Sequence, residues 1–240
     1  DTVPHPLTID PVGADNLING ADADAGFEIT GTSNAGAVVS VVFGDVTHEV
    51  TTDAEGIWTV TVGSGDFAGG EYMADISAST VDAAGNTSQA TSQVEVDTIS
   101  TVTLSGDAIQ GDDIVNAEEH AGGTDFSGTT QPGSTVVVTV GGTSLDATVD
   151  ATGNWSVTFG PGDLATGTYA TEVVVTATDA AGNTSTVSQA FRVDTEIGGS
   201  IDANTAGDGV INAAEAAAGV EITGTAEAGA SVTVSFQSVD

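Results

Sequence analysis

The sequence predicts an all-β protein built as a linear array of small sandwich domains, and three observations predict it. First, the chain repeats itself. Asp53-Ala-Glu-Gly-Ile-Trp58 returns as Asp150-Ala-Thr-Gly-Asn-Trp155, Asp82-Ala-Ala-Gly-Asn-Thr-Ser88 returns unchanged at 179–185, and Val96-Asp97-Thr98 returns at 193–195, each at an offset of 97 residues. That period is too long for a solenoid repeat and suits one small all-β domain. Second, short β-branched runs alternate within each period with Gly, Pro, Asn and Asp turn signals. Third, 39% of the residues are hydrophobic, enough for small cores.

The repeat divides the chain into copy one at 1–97, copy two at 98–194 and the first half of a third copy at 195–240. In that last part Ile211-Asn212 matches Val115-Asn116, and Gly224-Thr225 matches Gly128-Thr129. It has no counterpart of Trp155 or of the 179–185 loop. Half a sandwich cannot bury its own core, so weaker order is expected there. Asp1 begins inside a repeat, so the chain reads as an internal segment of something larger, and targeting is not legible from it.

Copy two shows the elements most clearly. Val102-Thr-Leu104 is a short alternating run and Asp125–Thr129 the next strand. Gln131-Pro-Gly-Ser134 is a turn. Thr135-Val-Val-Val-Thr-Val140 is a β-branched strand closed by Gly141-Gly142, a hairpin signal. Ser144 to Val149 alternates and Asp150–Asn154 turns. Trp155, Val157 and Phe159 share one strand face, with Trp155 and its counterpart Trp58 reading as core. Tyr169 to Thr178 is a long strand, Asp179–Asn183 turns, and Val187 to Val193 closes the copy. About seven strands with turns every 8–12 residues describe an immunoglobulin-like sandwich, and Tyr72 and Tyr169 stand where a tyrosine corner would lie. Asn86-Thr-Ser88, Asn154-Trp-Ser156 and Asn183-Thr-Ser185 fit the glycosylation pattern, but turns already account for these residues.

Charge narrows the partners. With 35 acidic residues against a single Arg192 and no Lys, the formal charge is −34. Nucleic acid and anionic membrane are excluded as electrostatic partners. Self-repulsion among unpaired carboxylates disfavours compactness, so a cation other than lysine is expected to offset it. Cysteine is absent, which excludes disulfides, thiolate metal sites and a cysteine nucleophile. No apolar run approaches the roughly 20 residues of a membrane helix. His5, His48 and His120 do not recur at equivalent positions and read as incidental. No Ser-His-Asp set and no repeat-independent acid pair is present, so the chain does not read as an enzyme.

One polar constellation recurs in all three copies: Asp15, Asn19 and Asp22; Asp112, Asn116 and Glu119; Asp208, Asn212 and Glu215. The Asn follows the Asp by four positions and the last acid follows by seven, all in the connection between the first and second strands. Hard oxygen ligands at short spacing suit Ca²⁺. The same residues also spell a capping box, as in Asn116-Ala-Glu-Glu119 and Asn212-Ala-Ala-Glu215, which accounts for the Asn and the last acid but not for the leading Asp. The two readings are compatible. In a sandwich of this strand order the constellation lies at the pole where the chain leaves a copy. The Asp179–Asn183 loop lies at the pole where it enters the next. Asp15, Asn19 and Asp22 are thus expected near Asp97, Asp179 and Asn183 at the first joint, and Asp112, Asn116 and Glu119 near Asp194 at the second. An ordinary glycine turn is the plainer reading of the 179–183 loop. With calcium at about a hundred times a Kd of ~0.1 mM, linkage supplies about 2.7 kcal/mol per site.

The Gly-Thr pairs at 31–32, 128–129 and 224–225, the turns Ala35-Gly36, Pro132-Gly133 and Ala228-Gly229 before Val-rich strands, Gly-x-Trp, and Asp-Ala-Ala-Gly-Asn-Thr-Ser followed by Val-Asp-Thr carry a resemblance over essentially the whole chain. It resembles the bacterial Ig-like repeats of giant RTX/Bap-type adhesins, the type I-secreted biofilm and cell-surface proteins of Gram-negative bacteria. The resemblance implies an extender role, secretion to the cell surface, calcium between domains, neighbouring repeats of the same chain as partners, and an adhesion target bound elsewhere. Two departures stand out: the linkers run into Val3, Ile99 or Glu196 rather than Thr-Ala-Pro, and Asp22 replaces Glu, shortening that ligand's reach. The alternative is a module that recognises a glycan or host protein through its loops. Phe67, replaced by Leu164 in copy two, is its best candidate contact.

Overall fold

The structure is a computed structural model that describes residues 6–106, 108–202, 207 and 209–235. Copy one contains β1 (Leu17–Ile18), α1 (Gly20–Ala25), β2 (Phe27–Thr32), β3 (Val38–Phe43), β4 (Val46–Thr51), β5 (Ile57–Val62), β6 (Glu71–Val81) and β7 (Thr87–Asp97). Copy two contains β8 (Val102–Leu104), β9 (Ile114–Asn116), α2 (Ala117–Gly122), β10 (Thr124–Thr130), β11 (Thr135–Val140), β12 (Thr143–Asp146), β13 (Thr148–Val149), β14 (Asn154–Phe159), β15 (Thr168–Thr178) and β16 (Thr184–Asp194). They are followed by β17 (Gly199–Ile201), α3 (Ala213–Ala218) and β18 (Gly224–Ala226). The protein is all-β, with two Ig-like sandwiches in tandem.

Strand alternation builds each core. Val39, Val41 and Phe43 of β3 point inward, as do Trp58, Val60 and Val62 of β5 from the opposite layer. A five-stranded sheet, β1-β7-β6-β3-β4, thus packs on the β2–β5 pair. Copy two repeats this with β12-β11-β15-β16-β9 against β13-β14-β10-β8. Trp58 and Trp155 are each 1% exposed at the centre of their cores. Opposite Trp155 in the ladder stands Gly128, where a Cβ would lie 2.0 Å from the Thr103 carbonyl oxygen and 2.9 Å from the indole. The Gly of the recurring Gly-Thr pair is therefore a steric requirement of the backbone carbonyl facing it, and in copies one and two of the tryptophan as well.

The tyrosine corners form: Tyr72 Oη donates to the Ala68 carbonyl at 2.6 Å and Tyr169 Oη to the Ala165 carbonyl at 2.7 Å. Desolvation pushes the Tyr169 phenol above its ordinary range. Phe67 is not an exposed loop aromatic. It is half-buried, edge-on against Phe27 at 5.7 Å and Phe43 at 5.6 Å, and Leu164 is fully buried at the equivalent position. The apolar gain from covering a large side chain thus outweighs the Gly-rich sequence around it, and the best contact for a loop-binding module is half-buried against the core. His120 is also a core residue, its Nε2 3.0 Å from the Leu164 carbonyl oxygen. His48 lies on β4, and His5 is outside the described residues.

Two local features differ from the expected strand list. The connection carrying the acidic constellation contains an extra strand. β1 pairs in parallel with β7, and β9 with β16, so the chain crosses from one sheet to the other before the short helix. The run 144–149 is also two strands: β12 pairs with β11, and β13 with β14. A period-two pattern reads the same on either sheet, so the crossing at Ala147 leaves no mark in it. Beyond Asp194, β17 pairs with β18, and among the described residues of 195–235 none is buried.

Candidate functional site

The polar constellation folds locally as a cap. Asn19 accepts from Asp22 N at 3.0 Å while Asp22 Oδ2 accepts from Asn19 N at 3.2 Å. Asn116 with Glu119, and Asn212 with Glu215, form the same reciprocal pair. Each thereby satisfies orphan N–H groups at the start of a six-residue helix. The leading acid turns the chain into the parallel strand. Asp15 Oδ1 accepts from Leu17 N at 3.3 Å, and Asp112 Oδ1 accepts from Ile114 N at 3.0 Å. Asp208 lies outside the described residues. Asp15, Asn19 and Asp22 together line one open hollow of copy one.

The Asp-Ala-Ala-Gly-Asn loops are clasps. In copy two, Asp179 Oδ1 accepts from Asn183 N at 2.9 Å and Asp179 Oδ2 from Asn183 Nδ2 at 3.0 Å. The Asn183 side chain is thereby held by Asp179 and projects toward copy one. Its Oδ1 accepts from Gly20 N at 2.7 Å, and its Nδ2 donates to the Asp97 carbonyl at 2.9 Å and to Asp97 Oδ1 at 3.2 Å. One amide thus bridges the α1 end of copy one, the linker and the loop of copy two. Gln131 Nε2 adds a second bond across the joint, to Glu71 Oε2 at 3.2 Å. The linker is pinned from behind. Thr98 N donates to the Gly70 carbonyl at 2.9 Å and Thr98 Oγ1 accepts from Gly70 N at 2.8 Å. Thr195 and Gly167 repeat this after copy two at 3.0 and 2.7 Å.

The structure thus brings Asp97, Asp179 and Asn183 into one hydrogen-bonded group, touching copy one at the residue after Asn19. Asp15, Asn19 and Asp22 stand beside that group in their own hollow. Among the described residues no three His, Cys, Asp or Glu side chains are gathered tightly enough to form a cation cage by themselves. Carbonyl and amide oxygens must therefore complete any coordination shell. Burial, then the facing Asp179, and then Glu71 and Glu95 push the Asp97 carboxyl above its ordinary range, only partly offset by the Ile99 N–H. The joint therefore concentrates negative charge. Hydrogen bonds act the other way at the Asp150 turn: the Asn154 and Thr152 side chains and their backbone N–H groups hold its carboxyl well below the usual carboxylate range.

Sequence reasoning missed Gly20, Thr98, Gln131 and Glu71. Gly20 carries no polar side chain, and its role is to let Asn183 come close: a Cβ there would lie 2.9 Å from Asn183 Oδ1. The repeat itself held one usable signal, since Thr98 recurs as Thr195 directly after the linker Asp.

Comparison with known proteins agrees with this architecture. A family model described as "Bacterial Ig-like domain" matches residues 12–98 and again 104–195. A solved structure described as a Ca²⁺-stabilised adhesin that helps an Antarctic bacterium reach out and bind ice is 35% identical over 94% of this chain, with a TM-score of 0.50. This chain spans 58% of that one. A second structure, of a 1.5-MDa bacterial ice-binding adhesin, is 32% identical over 94% of this chain and 77% of its own length, with a TM-score of 0.47. No curated protein matches the chain. No helix of the described residues is long and apolar enough to cross a membrane. The repeated sandwich and the two family matches describe a non-catalytic tandem module related to large repeat adhesins, and the chain belongs to the bacterial Ig-like domain family.

Proposed function

We propose that the chain is a calcium-stiffened extender segment of a large secreted bacterial surface adhesin. Its units are 1–97, 98–194 and the start of a third at 195–240. It holds an adhesion region, located elsewhere in the protein, away from the cell. Type I secretion and a place in biofilm attachment follow from the same kinship. The observation that carries the reading is the Asn183 bridge, which couples a loop of copy two to the linker and helix end of copy one. A stalk needs joints of this kind, since Ig-like units on a free linker would swivel.

Calcium fits the chemistry of the joint. Asp97 and Asp179 supply carboxylates, Asn183 an amide oxygen and the linker its carbonyls, all hard oxygen donors. The Asp97 carboxyl is pushed up by burial first and by the facing Asp179 second, and a bound cation would favour its ionised form. The cap uses Oδ2 of Asp22, and Asn19 Oδ1 and Asp15 Oδ1 each accept one backbone N–H, so a cation in the adjoining hollow would take the other oxygens of Asp22 and Asp15 and the second lone pair of Asn19. At the second joint the corresponding donors are Asp112, Asn116, Glu119 and Asp194, and in the third copy Asp208, Asn212 and Glu215. Bound calcium would supply charge neutralisation and cross-linking between units.

Small-angle scattering of the full chain tests this. In calcium the maximum dimension is expected to be long and sharply defined, and in EGTA the distance distribution is expected to broaden. Identical curves would sink the rigid-joint reading and leave the constellation as helix caps.

A pH dependence follows from Asp97. Its folded pKa is raised above 3.8, so the folded joint binds more protons than the unfolded chain in that window. The stability of the joint therefore falls as pH rises through the folded pKa of Asp97. In EGTA, acidification from about pH 7 toward about pH 4 is expected to narrow the interdomain distance distribution by removing one of the facing charges. In calcium the same acidification should release the ion. Broadening in EGTA on acidification would contradict the electrostatic account.

A further inference from the structure

The two joints have different charge. At the first, Glu71 and Glu95 flank the linker Asp97: Glu71 pairs with Asp97 across β6 and β7, and Glu95 lies two residues before it on β7. At the second, the equivalent ladder positions around Asp194 hold Thr168 and Arg192. Arg192 is the only Lys or Arg of the chain. Its Nη2 is 3.2 Å from Asp194 Oδ2, and Thr168 Oγ1 donates to Asp194 Oδ1 at 2.7 Å. Both oxygens of the second linker acid therefore have a partner within their own sandwich. Asp97 instead faces Asp179 through the Asn183 amide.

The steric setting differs as well. Gly20 follows the capping Asn19 at the first joint, and Ala117 follows Asn116 at the second. A methyl at the Gly20 position would stand 2.9 Å from the bridging Asn183 oxygen. An amide approaching Ala117 N as Asn183 approaches Gly20 N would meet that methyl. Two independent differences, one of charge and one of shape, thus separate the joints.

We propose that Arg192 is a built-in counter-ion that neutralises Asp194 and makes the second joint less dependent on calcium than the first. This segment of the stalk then holds one joint that calcium locks and one whose linker is already charge-balanced. A fall in ambient calcium would loosen it at chosen points rather than along its whole length. Arg192 is half-exposed, with 51% of its side chain accessible. The pair therefore adds little to the fold itself, and its effect lies in the field that a cation meets at Asp194.

This inference rests on the calcium reading of the joints, and the test separates the two. The first readout is the distance distribution across the first joint in the full chain, from spin labels on cysteines introduced at Glu49 and Asp146, followed as calcium is titrated. The second is a calorimetric titration of the unlabelled chain with calcium alone. Glu95→Arg brings the charge pattern of the second joint into the first. It is expected to narrow the distribution in EGTA and to raise the calcium midpoint on the order of fivefold. Arg192→Glu does the reverse, and calcium is expected to bind it more tightly than the parent by a similar factor. Should Glu95→Arg fold poorly by circular dichroism, Glu95→Gln serves in its place, with a midpoint raised about twofold. A parent chain whose distances ignore calcium refutes the stiffening function itself. A parent that responds, with an unchanged midpoint in the Glu95 variants or an unchanged isotherm in Arg192→Glu, leaves that function standing and overturns the role of Arg192.

Discussion

Replacing Asn183 by Ala is expected to uncouple the two sandwiches while leaving both folded. The substitution removes the bonds to Gly20 N, to the Asp97 carbonyl and to Asp97 Oδ1, together with the clasp to Asp179. It also leaves the Asp97 and Asp179 carboxylates without the amide between them. At about 1 kcal/mol for a neutral bond and more for a charged one, the loss in coupling is about 2–4 kcal/mol. The chain contains no cysteine, so paired labels report interdomain distances without background. The expected result is a distribution broadened in EGTA and only partly restored by calcium. Asn183→Asp gives a sharper contrast: a third carboxylate should repel in EGTA yet serve as a ligand in calcium, so the joint should become more calcium-dependent than the parent. If Asn183→Ala keeps the parent's narrow distribution in EGTA, the bridge is not what orients the sandwiches.

Trp155→Ala is expected to cost the second sandwich about 3–5 kcal/mol. The indole is 1% exposed and its Nε1 donates to the Thr103 carbonyl at 3.0 Å, so the change opens a cavity and removes a part-buried hydrogen bond at once. For a domain whose whole stability is about 5–15 kcal/mol, this is a large fraction. Calorimetry should show one transition lowered by roughly 15–30 °C and another, from the first sandwich, nearly unmoved. Gly128→Ala reaches the same packing from the other side. Its methyl would collide with the Thr103 backbone, and a cost of about 1–3 kcal/mol is expected. A single transition that shifts as a whole would mean that the sandwiches unfold together and that the joint is far stronger than its few bonds suggest.

The acidic joint was partly legible in the sequence because its residues recur. Asp97, Asp179 and Asn183 fall in exact repeats, and counting strand reversals places their loops at facing poles. The Asn183 contact with Gly20 has that geometry. The capping boxes were legible for a different reason: Asn-x-x-Glu is a local pattern, and local hydrogen bonds follow from spacing alone. Phe67 misled because a Gly-rich loop reads as exposed, whereas its fate depended on a gap between Phe27 and Phe43, residues far from it along the chain.

By itself the sequence determined the repeat, the alternating strands, the tryptophan cores, the tyrosine corners and the local caps. All of these depend on residues a few positions apart or on a period that the eye can align. Only the tertiary structure decided which sheet each short strand joins, that β1 and β9 run parallel to the closing strands, and that Gly20 meets Asn183 across the joint. It also decided that the Arg192 side chain reaches the Asp194 carboxylate two residues on. The physical reason is common to the first three. Each is a contact between segments whose own patterns are satisfied by more than one partner, so the choice is made by how whole sandwiches close and stack; the fourth is a choice of side-chain rotamer on one strand.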